Sequence, residues 1–390
     1  MLMGKFKTLC SKLRSKIKHV GFFMALVLIF NKITRMVFNK YKACFLHKQY
    51  GKNKKAFSSI PRKKNLITMV KNESALIDVF LAHALTMFDN IIIVDHMSTD
   101  GTYEYIHSLR SRFPQIRCYR FCNEGYFQSE VMTWIVHHLV DADEEGWVFF
   151  LDADEFLPFA TREEFDRELI ELSSYPVIAL SWKNLVPLEM DSGTVHGTFF
   201  LKPPKESEFH KIAFQPNLIP LKSYRIAQGN HALLIGKSDH QYYPAKNGFP
   251  IYHLPVRTRR QMIDKIHQGV NAYRKMGQHR NASQGIHWDE IACLVNNENL
   301  AEEVLIDMVV RYGFPLVPPY GMTRVELLAK GYEQILINVE MYAEFPKFEN
   351  DVYISDQVCD IYSNNAGFGG PGGQEKSITL DTHTNILYYA

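Results

Sequence analysis

Acidic residues are missing from the start of this chain. No aspartate or glutamate precedes Glu73 in a sequence of 390 residues. Residues 1–64 hold 17 Lys and Arg, which leaves 27 of the 44 for residues 65–390, against all 42 acids. The net charge of +2 therefore conceals a segment of +17 and a body of about −15. Such a split predicts a basic arm that meets something anionic. Cysteine is also scarce. The six lie at positions 10, 44, 118, 122, 293 and 359, and no second close pair joins Cys118 and Cys122 to complete a zinc pattern. Structural thiols in a reducing compartment are expected. Long apolar runs are lacking too. The run from Val20 to Phe30 has 11 residues, where a bilayer-spanning helix needs about 20. No small-residue cleavage site follows that run, which argues against a secretory signal peptide. What remains is an ordinary globular composition, 46% hydrophobic and 22% charged, enough for one large domain or two smaller ones.

Within the arm, Phe6, Leu9, Leu13, Ile17 and Val20 recur at spacings of three and four, and Lys5, Lys7, Lys12, Arg14, Lys16 and Lys18 fill the other faces. That pattern predicts a basic amphipathic helix lying on an anionic membrane surface. Residues 1–60 are read as this arm, which would hold the protein peripherally at the cytoplasmic face of a membrane. A type II signal anchor is the alternative. No nucleic-acid recognition motif is present, so no nucleic acid partner is expected.

The most informative stretch is Trp147-Val-Phe-Phe-Leu151 followed by Asp152-Ala-Asp154-Glu155. Its continuous apolar run reads as a strand buried on both faces. If the strand continues, Asp152 and Asp154 point the same way. Buried carboxylates are costly unless paired or bound to a metal, and Mg²⁺ or Mn²⁺ suits such hard oxygen ligands beside a diphosphate. Further strands are expected at Leu66–Val70, Ile91–Val94 and Ile116–Phe121, with helices at Ser74–Phe88, Tyr103–Phe113 and Glu130–Val140 between them. This alternation predicts an α/β fold, a Rossmann-like doubly wound, mostly parallel sheet. Glu73, Asp95 and the Asp152/Asp154 pair would then meet at one carboxyl edge, where such sheets bind ligands.

Ile-Thr-Met-Val-Lys71-Asn72-Glu73, then Ile-Ile-Ile-Val-Asp95-His-Met-Ser98-Thr-Asp100-Gly-Thr, then Phe-Leu-Asp152-Ala-Asp154-Glu-Phe resemble the ordered motifs of family 2-like glycosyltransferases with a GT-A fold. The resemblance implies a nucleotide-sugar site lined by Lys71, Asn72, Glu73, Asp95, Ser98 and Asp100. It implies that Asp95 contacts the base or ribose, that Asp152 sits by the ribose and metal, and that Asp154 binds the metal and diphosphate. A UDP-sugar donor, an inverting reaction and a glycan or lipid-linked acceptor are expected from it. His96 departs from the family pattern, where many members carry a second Asp.

Past residue 160 the alternation ends. Arg162–Leu172 reads as a helix, and Val177–Trp182, Lys211–Phe214 and Ala232–Ile235 as strands. His231 in Gly-Asn-His and His253 in His-Leu-Pro-Val-Arg257 resemble patterns in similar glycosyltransferases, where a late histidine is commonly a metal ligand. Arg257 either holds the diphosphate bidentately or begins a helix from Thr258 to Tyr273. The general base that takes the acceptor proton is sought, by position only, at Asp239, Asp191 or Glu189. The GT-A domain is placed at residues 61–275, with a helical C-terminal region at 276–365 built from Ile286–Tyr312 and Arg324–Glu344. A Gly-rich linker and polar tail follow at 366–390. Two other readings compete: a non-catalytic nucleotide- or sugar-binding scaffold, and a nucleotidyltransferase. The intact acidic pair argues against the first. The absence of glycine from Lys71–Ser74 argues against the second.

Overall fold

The hydrophobic runs found in the sequence become a sheet with a core on each face. β1 (Lys63–Val70), β2 (Asn90–Asp95), β3 (Ile116–Phe121) and β4 (Gly146–Phe150) pair in parallel in the order β3-β2-β1-β4. Leu66, Ile91, Ile93, Trp147 and Phe149 enter one core, while Ile67, Ile92, Val94, Val148 and Phe150 enter the other. Alternating side chains thus cover both faces, which is why each strand reads as a continuous apolar run. Each fully buried Ile or Phe contributes about 1.5–3 kcal/mol relative to exposure. Helices α1 (Ile77–Met87), α2 (Thr102–Leu109) and α3 (Gln128–Leu139) make the crossovers. The computed structural model describes residues 62–141, 146–191, 195–219, 224–236, 241–277, 292, 301–314, 320–338, 345–349, 378–381 and 385–389. The expected basic arm, the stretch Gly367–Gly373 and Asp239 lie outside the described residues.

Beyond β4 come β5 (Glu155–Phe156), α4 (Arg162–Leu172), β6 (Val177–Asn184), β7 (Val186–Pro187), β8 (Thr198–Lys202) and β9 (His210–Phe214). Then follow β10 (Tyr224–Ile226), β11 (Leu233–Ile235), β12 (Lys246–Asn247), β13 (Ile251–His253) and α5 (Arg259–Lys275). The chain continues through α6 (Glu302–Val310), α7 (Arg324–Ala329), β14 (Glu333–Ile337), β15 (Ile378–Asp381) and β16 (Ile386–Tyr389). β9 enters the main sheet antiparallel to both β4 and β6, and β13 runs parallel to β6. The result is an α/β fold with a mixed, mostly parallel central sheet and seven α-helices among the described residues.

Two elements differ from expectation. The helical pattern over 324–344 holds only to Ala329. Gly331 takes a left-handed conformation at φ 84, and Glu333–Ile337 pairs antiparallel with β8. Gly331 ends the helical register, and the Ile-Leu-Ile run then fits a pleated surface. The segment 378–389, expected as a polar tail, adds the β15–β16 hairpin to the main sheet beside β3, with Leu387 fully buried. Of the helix expected at 286–312, α6 is the described portion. Cys118 and Cys122 are free thiols. Among the described residues no helix is long and apolar enough to cross a membrane.

Candidate active site

The carboxyl ends of β1 and β4 open on a cavity of about 440 Å³, into which Lys71, Glu73, Asp152 and Asp154 project. β4 stops at Phe150, and the Glu155 N–H donates to the Asp152 carbonyl at 3.0 Å. The acidic pair therefore reaches the cavity from a tight turn, not from a continuing strand.

Each cavity carboxylate has its own cation. Asp152 Oδ2 accepts from Lys211 Nζ at 2.6 Å. Lys211 is 1% exposed on β9, also donates to the Gly229 carbonyl at 3.1 Å, and lies 3.7 Å from Glu155. Gly229 sits at φ 75, and a Cβ there would come 2.5 Å from the His231 ring, so this close approach requires glycine. Asp154 Oδ2 accepts from Lys265 Nζ at 2.6 Å. Burial opposes the Asp154 charge, but Lys265, with His253 and Arg257 beyond it, more than offsets this and holds the carboxyl below its ordinary range. Glu73 Oε2 accepts from Arg257 Nη2 at 3.1 Å. Burial raises the Glu73 pKa against that pairing.

His253 lies across from Asp154, with Nε2 3.9 Å from Asp154 Oδ1. Its Nδ1–H donates to Asn184 Oδ1 at 2.8 Å, across the β6–β13 register that pairs these two residues. That bond leaves the Nε2 lone pair free toward the carboxylate. Trp182 stacks on the imidazole at 4.4 Å. Burial pushes the His253 pKa down to about 3, so the ring is neutral near pH 7. The 3.9 Å gap is too long for a hydrogen bond. It is within the roughly 4.2 Å that two ligands of one ion can span at about 2.1 Å each. Ligand atoms of Asp154, Glu155 and His253 lie within 4.8 Å of one another. Glu155, however, is fully buried, and its oxygens accept from Trp182 Nε1 at 2.7 Å and from the Asp152 N–H at 3.0 Å. It braces the turn, while Asp154 and His253 are the pair that line the cavity. A carboxylate oxygen and an imidazole nitrogen at this separation form a donor set for a divalent ion.

The other rim, between β1 and β2, is knitted to itself. Asn72 N–H donates to Ser98 Oγ, and Thr99 N–H to Asn72 Oδ1, at 2.9 and 2.8 Å. Asp100 accepts from Ser74 N–H at 3.0 Å, and from Thr102 N–H and Oγ1 at 3.1 and 2.6 Å. Gly101 at φ 87 turns the chain into α2. Asp95 is 0% exposed behind this rim, accepting from Ser98 N–H at 3.1 Å with Arg120 Nε at 3.3 Å. Burial raises its pKa to about 6.

The remaining candidates separate by position. His231 lines the same cavity, its Nδ1–H donating to the His210 carbonyl at 2.6 Å, but it is outside the Asp154–His253 group. Asp191 and Glu189 are exposed, and Asp191 Oδ1 accepts from Arg259 N–H, the first residue of α5, at 2.9 Å. Arg257 precedes that helix, whose N-cap is Thr258 with Gln261 N–H on its hydroxyl. Lys211 and Lys265 were not singled out from the sequence. Lys211 could have been, since it is a lone cation against the apolar run Ile212-Ala-Phe214. Lys265 shares one helical face with Gly269 and Ala272 toward the cavity, a placement visible only once α5 is docked.

Residues 66–166 match the family model for glycosyl transferase family 2. That segment runs from β1 into α4 and carries Glu73, Asp95, Asp152 and Asp154. No curated protein matches the chain. Among solved structures, a mannosyltransferase from Pyrobaculum calidifontis in complex with GDP-Man and Mn²⁺ is similar at 13% identity and TM-score 0.34, covering 78% of this chain and 89% of that one. Mannose-6-phosphate isomerase from Helicobacter pylori is similar at 7% identity and TM-score 0.25, covering 40% of this chain and 72% of that one. The apo structure of the bifunctional glycosyltransferase WbbM is similar at 12% identity and TM-score 0.25, covering 41% of this chain and 33% of that one.

Proposed function

Because residues 66–166 match the family model for glycosyl transferase family 2, we propose that the protein moves a sugar from a nucleoside-diphosphate donor, a UDP-sugar first among them, to a hydroxyl of a glycan or lipid-linked acceptor, with inversion. The products would be a surface polysaccharide or glycolipid. One observation carries this reading: Asp154 and His253 face each other at 3.9 Å inside a cavity at the carboxyl ends of β1 and β4. These two residues would hold Mn²⁺ or Mg²⁺, with Asp152 beside them. Such an ion, when bound, supplies Lewis-acid neutralisation of the leaving diphosphate.

The chain's own residues do the rest. Lys71 lines the cavity at the end of β1 and offers a cation to a phosphate. Arg257, held by Glu73, keeps a guanidinium at the same edge. Lys211 keeps Asp152 in place from beneath. Asn184 fixes the His253 tautomer. Asp95 supports the Ser98 turn, where the nucleoside would lie. Asp191 Oδ1 accepts from the start of α5, and Asp239 and Glu189 are the other candidate bases. The basic segment 1–60 would keep the enzyme on the anionic, cytoplasmic face of a membrane, near a membrane-borne acceptor.

Calorimetric titration of UDP, GDP and CMP into the full chain, with and without Mn²⁺, tests the reading. One nucleotide should bind only with Mn²⁺, and Asp154→Ala should abolish that binding. A folded protein that shows no metal-dependent binding of any of the three would overturn it.

A further inference from the structure

The cavity's three carboxylates, Glu73, Asp152 and Asp154, are matched one to one by Arg257, Lys211 and Lys265. A divalent ion therefore meets carboxylates already paired with the protein's own cations. Asp154 Oδ1 faces His253 Nε2 at 3.9 Å, and Lys265 Nζ holds Oδ2 of the same carboxylate at 2.6 Å. An ion bound to Oδ1 at about 2.1 Å and an ammonium at 2.6 Å from Oδ2 would crowd like charges onto one carboxylate. The ammonium on Oδ2 therefore opposes an ion on Oδ1.

We propose that Lys265 is a built-in competitor for the divalent-cation position: its ammonium caps Asp154 until an ion displaces it. The proposal rests on the metal reading above. Of the three paired cations, Lys265 is the least enclosed, at 25% exposed against 11% for Arg257 and 1% for Lys211. Lys211 is 1% exposed and tied to Asp152, Glu155 and the Gly229 carbonyl, so its departure would strand the buried Glu155 and leave Asp152 without its cation. Arg257 bridges to Glu73 on another strand end and does not touch Asp154 in a hydrogen bond. Lys265 is 25% exposed, has a four-carbon stem, and shares its helix face with the small residues Gly269 and Ala272. The Tyr312 ring already lies 5.6 Å from its ammonium, a contact that can be kept when the bond to Asp154 is given up. Once displaced, the ammonium stays in the cavity, where the donor's phosphates offer it acceptors. Loading of the ion and capture of the donor would then reinforce each other.

Mn²⁺ binding to the full chain, read from the electron paramagnetic resonance of free Mn²⁺ without nucleotide, tests this. Lys265→Met keeps the stem and removes the charge. It should bind Mn²⁺ about tenfold more tightly than the parent, while Lys265→Arg should not gain affinity. Mn²⁺ should also raise the thermal unfolding midpoint more in Lys265→Met than in the parent. If Lys265→Met does not fold, Lys265→Gln takes its place. Equal Mn²⁺ affinity in the parent and a folded uncharged variant would overturn the competition and leave the metal reading intact. Mn²⁺ binding no stronger in the parent and Lys265→Met than in Asp154→Asn would overturn both.

Discussion

Along the β1–β2 rim, Asp100 gives both carboxylate oxygens to neighbours: the Ser74 N–H and the N–H and hydroxyl of Thr102. Along the β4–α5 rim, Asp152 and Asp154 each give one oxygen, Oδ2, to a lysine side chain, 59 and 111 residues away respectively. The first arrangement ties backbone to carboxylate, and nothing can replace those partners without opening the loop. The second uses ammonium groups, and another cation can take the place of at least one. Two clusters of similar composition thus differ in role because of what they are bonded to. The first rim holds its own backbone, and the second holds ammonium groups at the place proposed for the ion.

The largest expected effect sets the two rims against each other. Asp154→Asn should lower Mn²⁺-dependent transfer by about a hundredfold or more, measured as kcat/KM. Asp100→Ala removes three hydrogen bonds and should cost about 2–3 kcal/mol of unfolding free energy by urea titration. Asp154→Asn should cost less stability than Asp100→Ala. The comparison breaks if Asp100→Ala abolishes transfer while leaving the urea midpoint in place.

A smaller effect is expected one layer back. Asn184 touches no cavity carboxylate, yet its side-chain oxygen fixes His253. Asn184→Leu should weaken Mn²⁺ binding about tenfold to a hundredfold, and Asn184→Asp, which keeps an acceptor, should recover most of it. Equal loss in both variants would point to packing of β6 against β13 instead of orientation of the imidazole.

The β1–β2 rim was the more legible from sequence, and for a physical reason. β1 to β4 are buried on both faces, so they appear as unbroken apolar runs; Ile116–Phe121 was read with the boundaries observed. α4 at Arg162–Leu172 was equally plain. Residues of the β1–β2 loops sit within a few positions of the strand ends that place them. The partners of the other rim come from β9 and α5, and local spacing carries no record of which distant lysine meets which carboxylate. His253 was found through its motif, but Asn184, which orients it, was not, because a cross-strand pair depends on the β6–β13 register. β14 was hidden for another reason: its apolar residues continue a helical spacing that only Gly331 and the free edge of β8 interrupt.

The smallest predicted effect contrasts two buried histidines, one in each role. His253 turns its free nitrogen to the cavity. His83, on α1, turns Nε2 to the Leu157 N–H at 3.3 Å, just after β5. A proton on that nitrogen would face a donor, and burial pushes the His83 pKa down to about 4. An unfolded chain takes up this proton near pH 6.5 and the folded one only near 4. The His83 contribution to stability is therefore complete above pH 6.5 and is lost as pH falls toward 4, at about 1.4 kcal/mol per pH unit. Asp95, with its pKa raised to about 6, acts in the opposite direction: its native state holds the extra proton, so stability falls as pH rises toward 6. The informative quantity is therefore the difference between His83→Gln and the parent across urea titrations at several pH values from 6.5 to 4.5. Glutamine keeps an acceptor for Leu157 and carries no titrating proton, so its stability curve should be shallower by about 1.4 kcal/mol per pH unit. Parallel curves would mean that His83 protonates in the folded protein as readily as in the unfolded chain, and its bond to Leu157 would lose its place in the scaffold.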